Sequence, residues 1–164
     1  MTSISSAVEY LAVVAADRGD GPRLLRRFPT QPRAATPFPP LLAAFALPDG
    51  AAPTVSPPPG GVASAVLTLQ DSTRIHMVSL YYYERHARSK LWTPVALCAL
   101  SQSPHLAFLH AALRCLRAAM LRGGVAAAAA TARALLLLPL PLPGVGVRTA
   151  LGGTVLRLEA AAEG

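Results

Sequence analysis

Residues 90–104 read KLWTPVALCALSQSP, and the reading of this stretch decides the fold. Thr93 to Leu100 is apolar on both alternating sides. Val95, Leu97 and Ala99 point one way; Ala96, Cys98 and Leu100 point the other. Successive side chains of a strand leave opposite faces, so a strand like this is covered on both and is central in its sheet. The run stops at Ser-Gln-Ser-Pro, and a new period begins in His105-Leu106-Ala107-Phe108-Leu109. Ser103 is expected to cap a helix with Pro104 at its first position, where the missing N–H costs nothing. Leu106, Leu109, Leu113, Leu116 and Met120 recur at helical spacing and predict one stripe lying on the sheet. Gly123-Gly124 should end that helix. Residues 90–122 thus read as a strand–helix unit with no catalytic residue at its joint, and its purpose is architectural.

Working outward, ASAVLTLQ (63–70) and RIHMVSLYYYER (74–85) flank a short DST and predict a hairpin rich in β-branched and aromatic residues. EYLAVVAAD (9–17) reads as a first strand, closed by a turn in RGDGP. Residues 18–40 hold Pro22, Pro29, Pro32, Pro37, Pro39 and Pro40, a density that forbids regular structure over much of the segment. LLAAFALPDG (41–50) is a short apolar piece ended by a Pro-Asp-Gly turn, and AAPTVSPPPGG (51–61) is low-complexity loop. HARSK (86–90) is a polar loop. Downstream, VAAAAATARALLLL (125–138) is a strong helix former broken by PLPLPGVG. VRTALGGTVLRLEA (147–160) then predicts a second, smaller hairpin turning at Gly152-Gly153. The class is α/β, in the α+β sense.

The chain has 164 residues, enough for one domain or one and a fraction. Hydrophobic residues make up 52% and charged residues 14%, so there is material for a core. The formal net charge is +7, carried by Lys90 and by arginines scattered from Arg18 to Arg157. A nucleic-acid binder concentrates its basic groups on one face, so no nucleic-acid partner is expected. Cys98 and Cys115 are too few for a disulfide framework. The first twenty residues, with their acidic side chains and no basic start, resemble neither a secretory signal nor a transit peptide. Arg133, Pro139, Pro141 and Pro143 interrupt the most apolar region, leaving no stretch of about 20 residues to span a bilayer as a helix. A soluble, intracellular protein is expected.

Motifs for chemistry fail on inspection. Cys98, His105, His110 and Cys115 are zinc-ligand types. However, at 100° per residue the last three stand about 140° apart around a helix and cannot converge. PGVGVRTALGG lacks the Lys-Ser/Thr pair of a phosphate loop and the helix that would follow it. No G-x-S-x-G elbow, oriented histidine or carboxylate pair can be placed. LYYYER reads as a strand of alternately buried and exposed tyrosines, because 63–70 offers no aromatics to complete a stacking platform. No metal, cofactor or catalytic residue is expected. The residues look like an α/β binding module.

The order of segments resembles the DENN family. FALPDG (45–50) resembles a stretch of its upstream module, and AVLTLQDSTRIHMVSLYYYE (65–84) is similar to the strand, tight turn and basic-led returning strand that follow. TPVALCALSQSPHLAFLHAALRCL (93–116) resembles its strand, Ser, spacer, Pro and amphipathic helix. LLLLPLPLPGVGVRTALGGTVLRL (135–158) resembles the opening of the central module. Leu69 stands where the family has a polar residue, and 71–73 lacks the family's usual turn glycine.

The resemblance implies a longin-like antiparallel sheet flanked by helices over 1–122, with a Pro/Gly-rich loop at about 50–61. It also implies the truncated start of the central module over 123–164. It implies a guanine-nucleotide releasing factor for a Rab-type small GTPase, or the N-terminal part of one, without covalent catalysis. The alternative is a non-catalytic interaction module of the same fold. The family's setting is cytoplasmic, in membrane traffic, with peripheral placement on endosomal or Golgi membranes. Asp71 and Arg74, at the hairpin tip, are the candidate partner contacts, because loop residues reach a partner.

Overall fold

The computed structural model describes residues 5–17, 21–142, 145–151 and 154–159. Its central strand is the stretch that opens the sequence reading. Strands β1 (Tyr10–Ala15), β2 (Arg23–Phe28), β3 (Gly61–Thr68), β4 (Arg74–Arg85) and β5 (Trp92–Ser101) form one sheet in the order β2-β1-β5-β4-β3. Every neighbouring pair is antiparallel. β5 lies in the middle, with Leu97 opposite Val13 on one side and Leu80 on the other.

The two faces of β5 serve two cores. Val95, Leu97 and Ala99 join Leu11 and Val13 beneath helix α2 (Leu106–Leu136). Ala96, Cys98 and Leu100 join Tyr10, Val14 and Met77 beneath helix α1 (Leu42–Ala46). Residues 95–100 are all buried, which is why the run shows no polar alternation.

The α2 stripe is partly as read. Leu109, Leu113 and Leu116 are buried against the sheet, joined by Phe108, Ala112 and Cys115. Leu106 is instead 41% exposed, and Met120 only half-buried. The expected cap is also corrected. The helix starts at Leu106 behind His105, without a side-chain cap, and Pro104 lies outside it. Ser103 is occupied otherwise: its carbonyl accepts the His105 N–H at 2.9 Å and its N–H donates to Ser101 Oγ at 3.1 Å. Gly124, at φ 66° and ψ −150°, breaks α2 into two arms. A positive φ of this kind suits glycine, so the first arm ends at Gly123-Gly124 as the sequence predicts, and a second arm follows directly.

The proline-dense segment holds more order than its composition suggests. β2 occupies the six residues between Pro22 and Pro29, where no ring removes a donor, and pairs with β1 around a bulge at Val13/Val14. The three tyrosines of β4 do not alternate in burial: Tyr81, Tyr82 and Tyr83 are all half-buried. They alternate only in direction, Tyr81 packing on the α1-side core and Tyr82 on the α2-side core. The turn read in RGDGP falls on Arg18–Asp20, outside the described residues.

β6 (Gly146–Leu151) and β7 (Thr154–Glu159) form a separate two-stranded sheet; their turn glycines fall outside the described residues. Leu156 and Leu158 of β7 are buried in the same core as Leu109 and Leu113. The chain just before it is stitched to the first residues: the Ala7 N–H donates to the Leu138 carbonyl at 2.9 Å, and the Leu140 N–H to the Ser5 carbonyl at 2.8 Å.

Candidate partner-binding surface

The β3–β4 hairpin turns between Leu69 and Thr73. The Ser72 N–H donates to the Leu69 carbonyl at 3.0 Å, and the Leu69 N–H to the Thr73 carbonyl at 2.8 Å. Ser72 sits at φ 68°, in the left-handed region. A tight turn closed by a left-handed residue keeps the twist of the two strands, and glycine is the residue that adopts it without cost. This explains why the absence of a glycine at 71–73 stands out in the sequence.

Asp71 is committed to that turn. Its Oδ1 accepts the Thr73 N–H at 2.9 Å, and hydrogen bonds from Thr73 hold its carboxyl below the usual carboxylate range. Arg74 opens β4 opposite Thr68 and is exposed. The two side chains thus share one tip, but among the described residues they form no ion pair. Asp71 shapes the loop, while the Arg74 side chain stands exposed beside it.

Sequence reasoning missed what lies next to them. A groove of about 420 Å³ runs between α1 and β3, walled by Leu41, Phe45, Val66 and Leu69 and reaching Gln70 at the tip. Leu41 is 66% exposed, Phe45 52% and Val66 55%. The signal was present in LLAAFA. Leu42 and Ala46, four residues apart, are buried under the sheet, so Leu41 and Phe45, also four apart, are forced outward. β3 is also the last strand of its sheet, so its outer backbone edge pairs with no strand among the described residues. These exposed apolar side chains therefore stand beside a sheet edge that is unpaired among the described residues.

The groups of chemically reactive type are placed apart. Cys98 lies in the α1-side core and Cys115 in the α2-side core, on opposite faces of the sheet. Burial pushes the Cys98 thiol up to about 12, against a hydrogen bond with Ser79, so it is no nucleophile at neutral pH. His105 lies at the start of α2, where burial first and neighbouring His76 second lower its pKa. Glu9, 6% exposed, faces Arg33 at 3.5 Å, and burial raises its carboxyl while Arg33 and Thr36 oppose the shift. Among the described residues no three His, Cys, Asp or Glu side chains gather to hold a metal ion. Among the described residues no helix is long and apolar enough to cross a membrane.

No curated protein matches the chain. Residues 22–82 match the family model of the uDENN domain. The match runs from β2 through α1 and β3 into β4, so it contains the hairpin tip and the groove. The stretches at 93–116 and 135–158 lie beyond it. The residues that build this surface thus lie inside the stretch that matches the uDENN domain, which is consistent with a DENN-family module.

Proposed function

We propose that the chain acts as a guanine-nucleotide exchange factor for a Rab-type small GTPase, or as the N-terminal part of one. The observation that carries this reading is the coincidence of the uDENN match with the free β3 edge, the apolar groove and the Arg74 tip. A GTPase holds its nucleotide at nM to pM affinity, roughly 12 to 16 kcal/mol. An exchange factor lowers that hold by binding the nucleotide-free state better and keeping the switch loops off the phosphates and Mg²⁺. No bond breaks, so a surface of complementary shape suffices. Residues 1–122 are read as the upstream, longin-like module and 123–164 as the opening of the central one. The setting proposed is cytoplasmic, peripheral on endosomal or Golgi membranes.

The test is nucleotide release from a panel of GDP-loaded Rab-type GTPases. Acceleration of at least one, slowed by Arg74→Glu, supports the reading; no acceleration across a broad panel rejects it. The exposed groove and edge also suit a second reading, a non-catalytic interaction module of the same fold. Capture of a GTPase with no change in its release rate selects that alternative.

A further inference from the structure

The two outer edges of the five-stranded sheet are built differently. β2 carries Arg23, Arg26 and Arg27 within six residues, and its pairing with β1 is interrupted by the bulge at Val13/Val14. Charge and irregularity at an edge keep other strands from adding to it. β3, at the opposite edge, has neither. Its eight residues, GVASAVLT, hold no charge and no proline, and all eight pair with β4 in one unbroken register.

The surroundings of β3 match the strand. Val62 and Val66 are 47% and 55% exposed along it. Leu41 and Phe45 stand exposed by α1 on one face of the sheet, and Leu106, at the start of α2, on the other. A strand added to this edge thus finds apolar cover above and below. Between Arg33 and Asp71 the sequence holds a single charged residue, Asp49. In a chain of net charge +7, this is the region over which a second identical chain meets least like charge. The edge is also complementary to itself. Turned antiparallel about Ser64, β3 sets Val62 opposite the partner's Val66 and one Ser64 beside the other, with small or β-branched side chains from 62 to 66.

We propose that the β3 edge binds a second copy of this chain, the two β3 strands pairing antiparallel about Ser64 and joining the two sheets into one. Main-chain hydrogen bonds hold the joint, and the apolar side chains by α1 and α2 cover it. The pairing closes off the groove beside α1, so the single chain is the form that offers that groove to any other partner. The proposal does not rest on the GTPase reading, and its test uses the chain alone.

The experiment is sedimentation equilibrium of the whole chain over a range of concentrations, at low and high salt. A mass rising to that of two chains is expected, and salt should not weaken the pairing, because no charged pair holds it. Ser64→Lys sets two like charges against each other at the two-fold axis. It should weaken association about tenfold or more, with the circular dichroism of the fold unchanged. In Ser64→Cys a short thiol cross-linker should join two chains, while the same reagent leaves the parent chain single, since Cys98 and Cys115 are buried. A single chain at every concentration, a dimer that Ser64→Lys leaves intact, or a Ser64→Cys variant that does not cross-link would each overturn the proposal. A chain that stays single yet captures a GTPase overturns it too, and leaves the exchange reading standing.

Discussion

The hydroxyl of Tyr10 bridges two backbone groups of the segment that crosses its strand: it accepts the Arg33 N–H at 2.7 Å and donates to the Thr36 carbonyl. Gln102 Nε2 donates to Thr36 Oγ1 at 2.7 Å from the far end of β5, and Arg33 reaches Glu9 at 3.5 Å. Proline-rich backbone cannot pair as a ladder along its length. Here side chains of β1 and its neighbours take over that role and hold residues 33–36 on the sheet.

Tyr10→Phe keeps the ring, which meets Phe38 edge-on at 5.1 Å, and removes only the bridge. It leaves one backbone donor and one buried carbonyl unpaired. The expected cost is about 1–3 kcal/mol in urea unfolding. A change within experimental error would mean that water replaces the hydroxyl.

Leu113 and Leu106 lie on one sequence stripe but not in one environment. Leu113 is fully buried and Leu106 is 41% exposed. Leu113→Ala should cost about 2–5 kcal/mol, and Leu106→Ala less than about 1 kcal/mol. Equal costs would place the helix in a different rotation on the sheet.

Ser72 occupies a left-handed position. Ser72→Gly removes that strain at some cost in unfolded-chain entropy, for a net gain of about 0.5–1 kcal/mol. Ser72→Val should destabilise. A rise in Tm for glycine and a fall for valine is the expected pair of results.

His105 has its folded pKa depressed, chiefly by burial and then by His76. The unfolded chain therefore binds the proton more readily. The stability this contributes is fully present above the unfolded value of about 6.5 and is lost as pH falls through the lower folded value. The midpoint of urea unfolding should decline on acidification from neutral pH, and His105→Gln should flatten that decline. An unchanged slope in the variant would reject His105 as its source.

The most legible parts of the fold were those written in periodicity. The two faces of 95–100 were readable because a strand buried on both sides shows no polar residue, and the hairpin at 63–85 because its arms are β-branched around a short turn. The helix cap departs from the expectation because Ser103-Pro104 satisfies the local rule, while Ser101 and Ser103 are drawn into a short-range turn instead. β2 was hidden by the prolines at its borders, which stop a strand without preventing one between them. At the candidate surface, Asp71 and Arg74 could be placed at a tip from sequence alone. The groove beside them depends on which of two equally apolar stripes of LLAAFA meets the sheet, and only the packing decides that.

The position of β5 also has a consequence for how the chain is made. β1 leaves the ribosome with β2, but its other neighbour, β5, arrives much later: Ala15 waits for Val95. At about 5–20 residues per second, that interval of 80 residues lasts roughly 4 to 16 s. Throughout it, one flank of an all-apolar strand, YLAVVA, has nothing to pair with. The nascent polypeptide therefore presents a sticky segment for seconds, and chaperone capture of that early intermediate is the natural safeguard against its aggregation.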